Sequence, residues 1–274
     1  MIKHKNKCFF FLGNFSAILI GITLGLFGAG GSILSIPIMV YLMGINPLLS
    51  TSYSLFIVGF SSIIGVVKYY NQNLVDVKLA ALFGIPSLLT VFAIREFLLP
   101  ALPNILFEIR GYIVSKDLAV MLMFSVLMMI ASLSMIRSYK MLKNIKLSTD
   151  RVRYLPTIIQ GLIVGFFSGI VGSGGGFLII PALVLLCKLP MKKAVGTSLL
   201  IIAVNSIIGF TIDLSNDVFF DWKFLFSFTS FAVVGIVIGN KLTAKISGDK
   251  LRPFFGWFVL LMGIYVIFKE LIQY

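Results

Sequence analysis

Apolar residues along this chain fall into long runs, not the strict alternation of a half-buried strand, and short polar or charged clusters separate them. Ten runs stand out, at 9–29, 32–44, 51–67, 78–95, 118–136, 154–172, 176–187, 194–212, 224–240 and 253–268. Runs such as Leu118 to Ile136 and Phe224 to Gly239 approach the ~20 residues a helix needs to cross the hydrocarbon layer. They predict helices, because a backbone facing lipid must satisfy its hydrogen bonds within its own segment. The ten runs divide into two sets of five. The second member of each set is too short to cross alone, about 18–20 Å at ~1.5 Å per residue.

The two sets are copies. Gly21 to Gly65 and Gly165 to Gly209 align without a gap at an offset of 144 residues, with 17 of 45 positions identical. Each copy carries a glycine cluster inside apolar sequence and a proline soon after: Gly28, Gly30, Gly31 and Pro37, then Gly172, Gly174, Gly175 and Pro181. The repeat continues with one residue of slippage, Asp76-Val77-Lys78 opposite Asp221-Trp222-Lys223. Each acidic residue is placed to cap the helix that follows it. The halves diverge at 96–117, where the first carries a longer loop.

Composition changes the picture from a helical protein to a membrane protein. The chain is 59% hydrophobic and 12% charged, against about 25% charged in soluble domains. Its net charge of +13 would suggest nucleic acid in a soluble chain. Here the basic residues flank apolar runs, so they read as topology signals and lipid contacts, with no nucleic-acid partner. Cys8 and Cys187 have neither metal nor redox spacing and read as packing residues. Lys3, Lys5 and Lys7 before an apolar run resemble a secretory signal, but the run continues into the first repeat and is expected to be retained.

Charge also bears on the relation between the halves. If both short runs turn back as re-entrant segments, three spans remain per half, and an odd number inverts the second half. The basic linker (Arg137, Lys140, Lys143, Lys146, Arg151, Arg153) then lies inside with Lys68, Lys78, Lys188, Lys192, Lys193, Lys241, Lys245, Lys250 and Arg252. That places 15 of 23 basic residues in the cytoplasm, against 13 for parallel halves, and leaves a loop with Asp213, Asp217 and Asp221 outside. The N-terminal lysines, placed outside, run against this count. The expected fold is therefore an all-α integral membrane protein of two inverted repeats, 1–136 and 154–274, joined by a basic cytoplasmic linker at 137–153. Each repeat has a glycine-broken re-entrant helix pair plus three transmembrane helices.

Glycine is a poor helix interior, by about 1 kcal/mol relative to alanine, so both clusters should open the helix at membrane depth. The segment resuming at Ser32 or Gly176 would then present unpaired N–H groups and a positive dipole end, an arrangement suited to a small anion. Exposed backbone at that depth must line a cavity or be buried in protein. Hydroxyl and amide residues follow in each half: Ser50, Thr51, Ser52 and Ser54, then Thr197 and Ser198, with Ser61, Ser62, Asn205 and Ser206 further along. They could hold oxyanion oxygens without a fixed charge. The candidate substrate site is Gly28, Gly30, Gly31, Ser32, Ser54, Gly172, Gly174, Gly175, Gly176, Thr197, Ser198 and Asn205. Close helix packing is the other reading of such glycines, and interhelical hydrogen bonding the other reading of the hydroxyls.

Every Asp and Glu falls in a predicted loop or at a segment end, and the sole histidine is His4. Cation pathways commonly carry intramembrane carboxylates, so the expected partner, besides the lipid bilayer, is a small anion. No nucleophile with a base and no set of metal ligands lies within a span, so neither enzyme chemistry nor a cofactor is expected. A carrier and a passive anion channel both fit the pattern, whereas a scaffold would not require duplicated breaks. Oligomeric state leaves no mark here.

The second copy, from Gly161 through Val171-Gly-Ser-Gly-Gly-Gly176 to Pro181 and then Ala194-Val-Gly-Thr-Ser198, resembles the signature of the TauE/SafE family of sulfite exporters. The first copy, Gly25 to Pro37, is similar to that family's N-terminal version. The resemblance implies a bacterial cytoplasmic-membrane permease that moves sulfur-containing or small organic anions, often outward. Ser32 stands where the second copy has Gly176, and Ser50 where it has Ala194, so the substrate does not follow from the family. Reporter fusions at Lys192 and Arg252 are expected on the same side as the 137–153 linker; opposite sides would rule out the inverted arrangement.

Overall fold

The computed structural model describes the chain except residues 1, 104, 110–111, 143–153, 173–174, 216–218 and 274, and except the side chains of 2–12, 14, 107–113, 138–142 and 273. Gly174, Asp217 and most of the basic linker therefore lie outside the described residues. The first half contains α1 (Ile2–Phe27), α2 (Gly30–Pro37) with a π-helical turn at Ile38–Leu42, α3 (Pro47–Asn71), and α4 (Val77–Ala93). A π-helical turn at Ile94–Leu98 and the short α5 (Leu99–Ala101) extend α4, and α6 is Lys116–Leu142. The second contains α7 (Tyr154–Val171), α8 (Gly176–Pro181) with a π-helical turn at Ala182–Leu186, α9 (Met191–Ser215), α10 (Trp222–Lys245) and α11 (Gly248–Gln273). Among the described residues, seven helices are long and apolar enough to cross a membrane; α2 and α8, even with their π-helical turns, are not among them. The divergent loop holds a hairpin that the apolar runs did not announce. Its strands, β1 (Ile105–Ile109) and β2 (Tyr112–Ser115), pair antiparallel. Alternating Ile105, Phe107 and Ile109 suit a strand, but the run is too short to stand out beside helical spans.

Local chemistry sets the helix starts. Asp76 accepts from the Leu79 N–H at 3.1 Å and Asp221 from Phe224 N–H at 3.0 Å, capping α4 and α10 as their acidic starts predict. Asn46 does the same for α3, with Pro47 in the first turn. Pro37 and Pro181 close α2 and α8, and each is followed at once by the wider π-helical turn. Proline has no N–H and crowds the carbonyl four residues back, so the regular ladder cannot pass through it.

The glycine-broken pairs double back. A Cβ at Gly31 would lie 2.9 Å from Leu24 Cβ and one at Gly13 would lie 2.9 Å from Met43 Cε, so the α2 arm returns along α1. In the second half Cys187 comes within 4.0 Å of Thr157 and 3.7 Å of Gln160, returning α8 along α7.

The halves exchange partners. α1 packs in parallel on α10 of the other half, Gly21 and Gly25 against the backbone at Ala232, Gly235 and Gly239. α7 packs in the same way on α4, Gly161 against Phe83 O, Gly165 against Ser87 and Gly169 against Val91 and Ile94. Between them the equivalent helices α3 and α9 run antiparallel, with Gly59 beside Ser206 and Gly209 beside Leu55. The equivalents α6 and α11 also run antiparallel, Gly256 beside Ile136 and Gly263 beside Met128. α3 and α9 are each 72% buried over their apolar stretch, against 33–50% for the other spanning helices, so they form the centre. Phe226, Val234 and Val237 on α10 and Trp257, Leu261 and Phe268 on α11 face outward, as suits a lipid-facing surface.

Because these contacts are backbone on backbone, alanine at Gly165 should separate α7 from α4 and lower stability by about 1–3 kcal/mol, the usual cost of overpacking. Gly84→Ala, where the nearest atom would stand at 3.6 Å, should leave the melting midpoint in detergent unchanged or higher. Equal midpoints for Gly165→Ala and the parent would show that the interface yields.

Candidate functional site

The chain breaks at Gly28 and Gly172, whose φ angles of +71° and +68° lie in the left-handed region open to glycine. Each break is seated against the third helix of the opposite half. A Cβ on Gly28 would meet Ser198 and Val195 of α9; one on Gly172 would meet Thr51 of α3 and the Arg95 guanidinium. These are symmetric contacts, since positions 51 and 195 differ by the repeat offset. The breaks also meet each other, because a Cβ on Gly176 would lie 3.1 Å from that of Ala29. Neither α2 nor α8 has a side-chain N-cap.

The other predicted glycines take different parts. Gly30 and Gly31 lie inside the first turn of α2, where their missing side chains allow close approach to Thr23 O and Leu24. Gly175, with φ +71°, lies beside Ser168. Gly174 lies outside the described residues.

Most of the predicted hydroxyls are already engaged. Ser32 Oγ donates to Ala29 O at 2.9 Å, and Ser54 shares a 2.5 Å hydrogen bond with Ser35. Ser198 Oγ donates to Val195 O at 2.9 Å and reaches the Gly28 carbonyl at 3.5 Å. Thr197 Oγ1 accepts from the Asp76 backbone N–H at 2.9 Å, joining α9 to the start of α4 away from the breaks.

Unused capacity lies deeper, on the facing helices α3 and α9. The hydroxyls of Ser61, Ser62 and Ser206 and the Asn205 side-chain carbonyl are buried without a protein partner, and so is the Ser168 hydroxyl beside Gly175. Asn205 Nδ2 donates to Ser87 Oγ of α4 at 2.8 Å, which fixes the amide in place. Buried polar atoms are nearly always paired, and leaving one unmade costs about 1–3 kcal/mol. Four of these orphans fall at the equivalent positions 61/205 and 62/206 of the two central helices.

One pair of charges escapes the sequence reading. Asp213, expected in an outside loop, is a residue of α9 and only 6% exposed; Arg95, at the end of a predicted run, is 2% exposed. Arg95 donates through Nη1 to the Asp213 carboxylate and through Nη2 to Thr51 Oγ1 at 3.2 Å, while Ser52 Oγ donates to the same carboxylate at 2.5 Å. This cluster ties α4 of one half to α9 of the other, against α3 and beside Gly172. The apolar run ended one residue before Asp213, so hydropathy put it outside; the helix continues to Ser215 because the pair makes its burial tolerable. Glu270, 7% exposed in α11, likewise accepts from Tyr41 Oη at 2.6 Å. Buried carboxylates thus exist, each near a helix end and each with a donor.

The model of the family described as Sulfite exporter TauE/SafE matches residues 14–266. The chain is 28% identical over 256 residues to a probable membrane transporter protein of Xylella fastidiosa strain 9a5c, covering 92% of each chain. It is 27% identical over 269 residues to one of Methanocaldococcus jannaschii, covering 91% of this chain and 92% of the relative. To the probable membrane transporter YjnA of Bacillus subtilis it is 24% identical over 269 residues, covering 91% and 96%. No solved structure matches the chain. A family match running from the first glycine-broken pair to the last helix makes this multi-pass membrane protein a member of the TauE/SafE sulfite exporter family.

Proposed function

We propose that the protein carries a small anion across the bacterial cytoplasmic membrane by alternating access of two inverted repeats. The anion class is sulfite, an organosulfonate or a related sulfur-containing anion, moved outward. The observation that carries this reading is the meeting of the two glycine breaks, at Ala29 and Gly176, beside central helices whose buried hydroxyls and amide lack partners. Neutral donors hold an oxyanion by hydrogen bonds and still let it leave. The family's name supports the choice of sulfite.

Inversion is supported by the antiparallel course of the equivalent pairs α3/α9 and α6/α11. Equivalent spanning helices that run in opposite directions are related by an axis in the membrane plane. The doubled-back arms support a re-entrant reading of α1–α2 and α7–α8; α7, though long and apolar enough to cross alone, then counts with α8 as one re-entrant pair, and three spans are left in each half. In that arrangement the Arg95–Asp213 pair lies on the side away from the linker and joins the halves there. Opening that side requires the pair to part.

Proteoliposomes offered sulfite, thiosulfate, sulfoacetate, acetate and chloride should show saturable, counterflow-competent flux of a sulfur-containing anion. Non-saturating flux would assign a channel, and no flux of any anion would remove the reading. Arg95→Ala should lower stability by about 3–5 kcal/mol, since it strands a buried carboxylate. Replacing both partners with leucine should recover most of that loss while changing the flux rate. Identical rates in the parent and the double variant would exclude the pair from the transport cycle.

A further inference from the structure

The internal repeat gives the positions of Arg95 and Asp213 counterparts at the other end of the molecule. Position 213 corresponds to Tyr69 at the offset of 144, and position 95 corresponds to Asn240 at the offset of 145 that relates α4 to α10. The packing follows this register: Gly165 against Ser87 is matched by Gly21 against Ala232. An ion pair fills one end, and at the linker end its place is taken by two neutral side chains that do not bond each other. Tyr69 Oη instead donates to Gly25 O at 3.2 Å. Asn240, only 4% exposed, has its side-chain carbonyl unpaired.

Beside them the chain leaves a recess of about 130 Å³, lined by Lys68, Tyr69, Gln72, Lys192, Asn240 and Thr243 among others. Lys68 ends α3 of the first half and Lys192 begins α9 of the second. Both are half-buried, and among the described residues neither has an acidic partner within 4 Å. Their neighbour Lys193 behaves differently and pairs with Asp76 at 3.4 Å. Lysines kept only as topology signals would point into solvent or headgroups. These two line a common recess, together with a buried amide that can present N–H₂ or C=O by a half-turn.

We propose that this recess is an anion-binding site on the linker side, where a small free oxyanion of sulfite or sulfate size is held between Lys68 and Lys192 with Asn240 at its floor. The proposal rests on the anion-transport reading and gives it an entry point. At the pseudo-symmetric position stands Asp213, a carboxylate that neutralises the local cation and repels an anion. Two ammonium groups without carboxylates raise the local concentration of anions and supply charge-assisted hydrogen bonds. The recess is too small for a nucleotide and suits a small oxyanion with a few waters.

The test is thermal stabilisation of the purified full-length protein in a nonionic detergent, titrated with sulfite and with sulfate at constant ionic strength. The parent should show a saturable rise in melting midpoint. In Lys68→Gln/Lys192→Gln the half-saturating concentration should rise about tenfold or more. Lys68→Arg/Lys192→Arg should restore binding, and Lys193→Gln should leave it unchanged. No saturable shift in the parent, or the same half-saturation in the double glutamine variant, would overturn the proposal. So would a lysine-dependent shift produced by phosphatidylglycerol alone, which would assign the recess to lipid headgroups. Flux assays separate this outcome from the transport reading. Lysine-dependent binding without flux leaves the site standing and removes transport, whereas flux in the parent without a lysine-dependent thermal shift removes the site alone.

Discussion

Backbone-to-backbone contact between the two halves is the constraint on which the rest of the structure depends. Gly21 and Gly25 let α1 lie directly on α10, and Gly161, Gly165 and Gly169 let α7 lie on α4. In lipid there is little hydrophobic drive between apolar helices, so association relies on close van der Waals packing, and small residues permit it. Because each half lends its first helix to the other, neither can complete its packing alone. The exchange also carries each glycine break into the opposite half, where Gly28 reaches α9 and Gly172 reaches α3.

The same exchange makes the centre polar without charging it. α3 and α9 are shielded from lipid by the helices around them, so serine and asparagine can be buried there. Ser35 with Ser54 and Asn205 with Ser87 satisfy part of that polarity, and Ser61, Ser62 and Ser206 hold the remainder open. Full charges are kept nearer the helix ends. Arg95 and Asp213 are buried, but they are buried together, with Thr51 and Ser52 adding hydrogen bonds and only Arg95 Nε of the guanidinium left without a partner.

An internal repeat with such regular packing makes its exceptions informative. Ser32 against Gly176, and Arg95 with Asp213 against Asn240 with Tyr69, are places where two copies of one framework have taken different chemistry. Here one end is an ion pair across the halves and the other is a lysine-flanked recess, so the two ends differ in charge and in how the halves are joined.

The local features of this fold were legible in the residues themselves. Apolar runs set the spans, Asp76 and Asp221 mark helix starts, and glycine with a following proline marks each broken pair, because hydropathy, capping and backbone freedom act over a few neighbours. The alignment of the halves likewise tells which helices are equivalent. The β hairpin, the burial of Asp213 and the engagement of Thr197 by Asp76 were not legible, since short strands carry a weak pattern and the other two depend on partners more than a hundred residues away. Which hydroxyls remain free is likewise a tertiary outcome: Ser54 and Ser62 are the same residue type on the same helix, and only packing gives one a partner in Ser35 and leaves the other without one. Sequence by itself determined a duplicated, glycine-broken membrane protein. Only the tertiary structure decided where its polarity is spent and where it is held open, because hydrogen bonds and ion pairs are settled by proximity across helices.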